Sequence, residues 1–339
     1  MRSPERLDLV ALEQLVARAT GTRAVELGER VQELWSGYGE IRRATLAGPP
    51  ESSVIVKYVV PPNARGHTDA EARSHRRKLR SYAVESAFYR AYATRCSADC
   101  RVPAPVHTGV QGDRTLLVLE DLDAAGFHVR RSQVSESELH ACLRWLAAFH
   151  ATFLGVPPDQ LWSVGSYWHL ATRPDELQAL ADAALRRAAP VLDERLNRAR
   201  HRTLVHGDAK LQNFCFTPDG SAVAAVDFQY VGGGVGVKDV AYFLTSCLSA
   251  RELERDAQRH LDAYFRELGA ALQARSAEHA AAGAQATCDV TLLEAEWREL
   301  YPIACADFCR FLRGWAGDSA RDAYLERVTR AVLQHLPAP

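Results

Sequence analysis

The hydrophobic period changes along the chain, and that change restricts the architecture more than any other feature. Segments near 24–34, 39–46 and 53–60 alternate as strands do, with turns bearing Gly or Pro between them. The polar stretch PPNARGHTDA at 61–70 reads as a loop, and a helix is expected over 71–95. Two further strands are expected near 105–110 and 115–121. Beyond them the period is helical, at about 136–155, 175–198, 237–249, 251–274, 291–314 and 318–335, as it is before them at 4–19. Two short strands, 214–217 and 222–227, interrupt the helices, and 275–288 reads as a surface loop or a helix extension. A small β-rich lobe followed by a larger helical lobe is the α+β, bilobal architecture these periods predict. Its boundary is set at 1–120 and 121–339.

The chemistry-bearing segment is LVHGDAKLQNFCF at 204–216, followed by VAAVDFQ, which ends at Gln229. Apolar residues on either side suit short strands entering and leaving a loop that presents Asp208, Lys210 and Asn213. Asp227 follows 19 residues after Asp208. Transfer of a γ-phosphoryl group needs a carboxylate to orient the attacking hydroxyl and accept its proton. It needs an amide oxygen and a second carboxylate to hold Mg²⁺ against the phosphates, and a nearby cation to offset transition-state charge.

HGDAKLQN resembles the H-x-D-x-K-x-x-N catalytic loop of protein kinases and of the aminoglycoside phosphotransferase and choline kinase superfamily, and DFQ resembles their magnesium-binding segment. The resemblance implies a protein-kinase-like fold, with Asp208 as catalytic base, Lys210 on the γ-phosphate, Asn213 and Asp227 on magnesium, and His206 bracing the loop. SSVIVKYVV at 52–60 resembles the strand that carries the ATP-binding lysine, here Lys57, with Glu85 in RSYAVESAFYRAY as its partner. Lys57 lies inside an apolar run, where an unpaired charge is costly. LWSGYGEI at 34–41 places Gly37, Tyr38 and Gly39 in a hairpin that can bring backbone N–H groups to phosphates. LLVLEDLD at 116–123 resembles the hinge whose backbone, near Glu120 and Leu122, meets adenine. The implied lobes are nucleotide-binding, 1–120, and catalytic and substrate-binding, 121–339. LWSGYGEI, RKLRSYAVESAFY, SYWHLATRPDE, VDFQYVGGGVGVKDVAYFL and YPIACADFCRFLRGW are similar to bacterial ecdysteroid-kinase-like (CHK kinase-like) phosphotransferases over nearly the whole chain.

Departures from the protein-kinase pattern narrow the acceptor. Gly207 stands where regulated protein kinases place an arginine, and only eleven residues separate Gln229 from Ala241, too few for a long activation segment. Gln229 stands where aminoglycoside enzymes often have a glutamate. Asp239, beside Lys238, is expected to cap its helix or brace the catalytic loop. The expected activity is therefore ATP- and Mg²⁺-dependent phosphorylation of a hydroxyl on a small molecule, such as a metabolite, an antibiotic or a steroid- or choline-like alcohol. The alternative is a nucleotide-binding pseudokinase, against which Lys57, Glu85, Asp208, Asn213 and Asp227 are all present. Tyr167, Trp168, His169, Asp307, Arg310 and Trp315 are expected to wall the substrate pocket or, as single aromatics often do, to fill core.

Composition adds exclusions. The formal net charge is −1, so no basic excess points to nucleic acid. The first residues lack a signal-peptide stretch, and no apolar run reaches membrane length, so the cytoplasm is the expected compartment. The eight cysteines lack CxxC pairs, and buried thiols in a reducing cytosol are expected over a metal or disulfide role. The chain has only four lysines, Lys57, Lys78, Lys210 and Lys238, against 37 arginines. Where a surface charge suffices this chain uses arginine, so a surviving lysine is expected to mark a place where a guanidinium does not fit, except Lys78, which is read as chance survival.

Overall fold

In the computed structural model of the chain, residues 8–48, 52–62, 68–281, 288–317 and 322–336 are described. The chain divides into two compact units, Met1–Arg95 with Val102–Val129, and Cys96–Arg101 with Arg130–Pro339. The expected boundary after residue 120 lies inside the first unit. Asp121 accepts hydrogen bonds there from Arg43 Nε at 2.7 Å and Ser53 Oγ at 2.6 Å, tying the segment to two strands. Cys96–Arg101 belongs with the second unit because Arg101 bridges to Ala224 and its carbonyl accepts the Trp145 indole N–H at 2.9 Å.

The first unit opens with helix α1, Leu9–Thr20. Asp8 caps it by accepting the Val10 and Ala11 N–H groups, and Gly21, at φ +71°, ends it. Strands β1, Val25–Glu33, β2, Gly39–Leu46, and β3, Ser52–Val59, precede helix α2, Asp69–Ala91, and strands β4, Pro105–Gln111, and β5, Arg114–Glu120, follow it. Thr68 and Glu71 close a capping box at the start of α2. The five strands form one antiparallel sheet in the order β1-β2-β3-β5-β4. Side chains alternate along a strand, so β3 serves two faces. Val54 and Val56 join Leu12 and Val16 of α1 in one apolar cluster. Val59, on the other face, packs with Leu34, Tyr38 and Tyr82. Lys57 shares the face of Val59, on the central strand, and is not an edge residue.

The second unit holds helices α3, Glu136–Thr152, α4, Pro174–Ala179, and α5, Ala183–Asn197. After four short strands come α6, Val237–Cys247, α7, Ala250–Ala281, α8, Val290–Ala316, and α9, Ala323–His335. The strands are β6, Thr203–Val205, β7, Phe214–Phe216, β8, Val223–Ala225, and β9, Gly232–Gly234, paired β6 with β9 and β7 with β8. Trp145 stacks on Phe149 at 5.0 Å and meets Phe214 edge-on at 5.6 Å, so α3 is the floor on which the paired strands rest.

Several boundaries differ from expectation. The helix expected over 175–198 is two helices, because Leu180 leaves the helical conformation and Asp182 caps a new start. Strand β6 is the expected short strand entering the Asp208 loop, whereas β9 is additional; it is three glycines and carries no alternation to read. The chain after residue 274 continues as helix to Ala281, the extension reading of that stretch, and 282–287 lie outside the described residues. Residues 1–7 and 318–321, where the first and last helices were expected to begin, also lie outside them. No described helix is long and apolar enough to cross a membrane. All eight cysteines are free thiols.

Candidate active site

In the first unit, Lys57 Nζ donates to Glu85 Oε2 at 2.7 Å, and the two residues are only 5% and 2% exposed. Strand β3 supplies the lysine and α2 the glutamate. The ammonium also sits 5.6 Å from the centre of the Tyr82 ring, one helical turn before Glu85. The buried charge is thus paired, as its position in an apolar strand demands.

The hairpin before β2 is built by backbone constraint. Gly37 adopts φ +72° and Gly39 φ +129°, and a Cβ at Gly39 would lie 2.0 Å from the Tyr58 carbonyl. Tyr38 turns inward. It is buried beside Tyr82, bonds His75 through its hydroxyl and carries Lys78 over its ring at 4.6 Å. Glu120 exchanges hydrogen bonds with Ala104, and the Leu122 carbonyl accepts the Phe127 N–H at 2.8 Å.

In the second unit the β6–β7 loop gathers the expected catalytic set. Lys210 Nζ lies 3.1 Å from Asp208 Oδ2. Asn213 Nδ2 donates to the same oxygen at 3.0 Å and to the Asp208 carbonyl at 2.7 Å. One carboxylate oxygen is therefore held twice. The other, Oδ1, is buried and has no partner. Burial, with the charge of Asp227 added, pushes the Asp208 carboxyl up to about 6 against the opposing pull of Lys210. Burial alone would lower Lys210, but the Asp208 carboxylate outweighs it and raises the ammonium.

Asp227 follows β8 in the left-handed region, at φ +69°. Its Oδ1 is also buried without a partner. Two unpaired buried carboxylate oxygens, on residues of which one's charge raises the other's carboxyl, fit a bound cation. The Asn213 amide nitrogen is committed to Asp208, so its amide oxygen is what remains for a metal. Among the described residues no group of three or more His, Cys, Asp or Glu is arranged as a metal centre of its own.

The loop is braced from α6. Asp239 is fully buried and accepts the His206 N–H at 2.6 Å, the Gly207 N–H at 2.9 Å and the His150 Nε2–H at 3.1 Å. Burial would raise this carboxyl, but those hydrogen bonds and histidines outweigh it and hold it low. His206 donates from Nε2 to the Val226 carbonyl at 3.0 Å and accepts the Asp208 N–H on Nδ1 at 3.3 Å. Burial lowers its pKa, which suits the neutral ring those two bonds require. Gly207 sits at φ +78°, and a Cβ there would lie 2.1 Å from the Tyr230 carbonyl. The arginine of regulated protein kinases has no room at this position.

The residues expected around the substrate separate into groups. Trp168, Asp307 and Arg310 come together in one buried network. The Trp168 indole donates to Asp307 Oδ2 at 3.1 Å, and Arg310 donates to Asp307 Oδ1 at 2.7 Å and to the Trp168 carbonyl at 2.9 Å. His169 faces Asp193 at 3.5 Å. Tyr167 lies edge-on to Tyr230 and Phe311, under the Arg173 guanidinium. Trp315 is 61% exposed and stacks on Phe311. Two residues not picked out for the site stand at it. Tyr242 lies against Asp208, where burial beside that charge raises the phenol strongly. Lys238 is one helical turn before it. The scarcity of lysine was the signal that could have found Lys238. Nothing local marks Tyr242.

Residues 58–281 match the sequence profile described as the phosphotransferase enzyme family. No curated protein matches the chain. Among solved structures it is similar to an aminoglycoside-3'-phosphotransferase of type VIII, at 17% identity over 86% of this chain and 97% of that one, with a TM-score of 0.41. It is also similar to an ethanolamine kinase of Plasmodium vivax, at 12% identity over 91% of this chain and 82% of that one, with a TM-score of 0.46.

Proposed function

We propose that this chain, which belongs to the phosphotransferase enzyme family, transfers the γ-phosphoryl group of ATP to a hydroxyl of a small molecule. The observation that carries the reading is the asymmetry of Asp208. Lys210 and Asn213 hold Oδ2, while Oδ1 is buried and unpaired. A carboxylate so held presents one oxygen to an incoming hydroxyl. It accepts the proton as the oxygen attacks phosphorus. Lys210, positively charged and beside that carboxylate, offsets charge on the transferring group.

Asn213 and Asp227 would hold Mg²⁺, which supplies neutralisation of phosphate charge when bound. Lys57, oriented by Glu85, would bind the α- and β-phosphates. Gly37, Tyr38 and Gly39 would cover the phosphates with backbone N–H groups, and the backbone near Glu120 and Leu122 would meet adenine. Asp239 keeps the loop in its working shape. A small acceptor is favoured because β9 pairs with β6 directly after the Asp227 turn and α6 begins at Val237, which leaves no segment on which an extended peptide could dock. The pseudokinase alternative is not favoured, since Lys57, Glu85, Asp208, Asn213 and Asp227 are all present.

The test is phosphoryl transfer from labelled ATP, with Mg²⁺, to a library of hydroxylated compounds. Transfer by the wild type and its loss in Asp208→Asn support the reading. Efficient phosphorylation of generic proteins with none of any small compound overturns it.

A further inference from the structure

The fourth lysine is chemically unexplained by the catalytic set. Lys238 is 3% exposed, yet among the described residues no hydrogen bond or ion pair reaches its ammonium. It sits over the Trp168 ring, 5.8 Å from Nζ to the centre. The carboxylates around it are engaged elsewhere. Asp307 is paired with Arg310 and bonded by Trp168, Asp193 faces His169, and Asp239 braces the catalytic loop. An ammonium with no protein acceptor in a largely buried place must be completed by water or by a ligand.

The position of Lys238 says which ligand. It stands four residues before Tyr242 on α6, so the two side chains share a face about 6 Å apart. The Trp168 ring meets both, edge-on to Tyr242 at 4.9 Å and 5.8 Å from the Lys238 ammonium. Tyr242 in turn lies against Asp208. Lys238 and Tyr242 are thus joined through Trp168, and Tyr242 leads on to Asp208.

We propose that Lys238 donates to a second oxygen of the acceptor, remote from the hydroxyl that Asp208 activates, and that the acceptor is a polyol or a hydroxy acid and not a cationic amino alcohol. The inference rests on the phosphotransferase reading above and names the acceptor class for that site. An oxygen, whether of a hydroxyl, a carbonyl or a carboxylate, satisfies the ammonium. An amine on the acceptor would set a second cation beside it in a medium of low dielectric, where like charges repel strongly. A guanidinium is bulkier and planar, which accounts for lysine at this position in a chain of 37 arginines.

The experiment assays transfer from labelled ATP to three matched arms: polyols and sugars, hydroxy acids, and amino alcohols including aminoglycosides. Wild type is compared with Lys238→Met, whose apolar chain can still lie on Trp168, and with Lys238→Glu. Acceptors are expected in the first two arms. For them Lys238→Met should raise KM about tenfold to a hundredfold, the worth of a hydrogen bond to a charged group, with kcat changed far less. A larger KM effect on hydroxy acids than on polyols identifies a carboxylate as the oxygen, and an equal effect identifies a neutral one. Lys238→Glu should shift preference toward the amine arm. Carbon-13 at the lysine ε position gives a readout independent of turnover, because only four signals arise. The one lost in Lys238→Met should move on adding the acceptor. An amino alcohol as best wild-type acceptor, or an unchanged KM in Lys238→Met, overturns the proposal. Transfer to no arm also overturns it, and if ATP hydrolysis is absent as well, the phosphotransferase reading falls with it.

Discussion

Gly207 donates its N–H to Asp239 Oδ1 at 2.9 Å from a left-handed conformation that leaves no room for a side chain. Through this contact α6 fixes the loop that carries Asp208. Gly207→Ala is expected to cost about 1–3 kcal/mol from backbone strain, and more if the Tyr230 carbonyl cannot shift. Asp239→Ala leaves three buried donors unpaired and is expected to cost about 3 kcal/mol or more. Urea unfolding measures both. An Asp239→Ala protein as stable as wild type would remove the brace from the account.

Lys57 and Glu85 are expected to act as one unit. Removing either partner leaves a buried charge uncompensated, at a cost of about 3–5 kcal/mol. Lys57→Met should lose nearly all activity, Lys57→Arg much of it, and Glu85→Gln should show a milder form of the same defect. In a double-mutant cycle the coupling between positions 57 and 85 should exceed about 1 kcal/mol. Additive effects would show that the pairing has no functional consequence.

Asp208→Asn should abolish transfer through kcat while ATP still binds. It should also stabilise the metal-free protein at neutral pH. The Asp208 carboxyl is raised from 3.8 to about 6 by burial. The folded state therefore holds that proton more tightly than the unfolded state. The stability it brings is fully present below the unfolded value and is lost as pH rises through 6. Asn does not titrate, so the stability advantage of Asp208→Asn, read as a higher Tm, should be small near pH 4, grow up to about pH 6 and then level off, at no more than about 3 kcal/mol. A Tm difference independent of pH would contradict the raised carboxyl.

Asn213→Ala and Asp227→Ala should each weaken the response to magnesium. Both remove hard oxygen donors of the kind this ion prefers. Titration of activity against Mg²⁺ should show the half-saturating concentration rising by about tenfold or more. An unchanged requirement in Asp227→Ala would exclude it as a ligand.

Much of this site could be read along the chain, because phosphoryl transfer fixes residue types at short spacing. The loop's Asp208, Lys210 and Asn213 lie within six residues, and the structure brings together what the sequence listed side by side. Lys57 was marked by its apolar surroundings, and a buried cation must find an anion. The strands of the first unit were legible from their alternation. Tertiary structure alone decided the rest. Trp168, Asp307 and Arg310 could be named from sequence, but not that they hold one another. Asp239 reaches back 33 residues to the His206 N–H, Lys238 lies over an indole 70 positions away, and β9 is a strand only because β6 lies beside it. The physical reason is that local pattern records which conformation a segment prefers and which chemistry it carries. Burial, the identity of a charge's partner and the absence of one are set by contacts between residues far apart in the chain, and only the folded chain makes them.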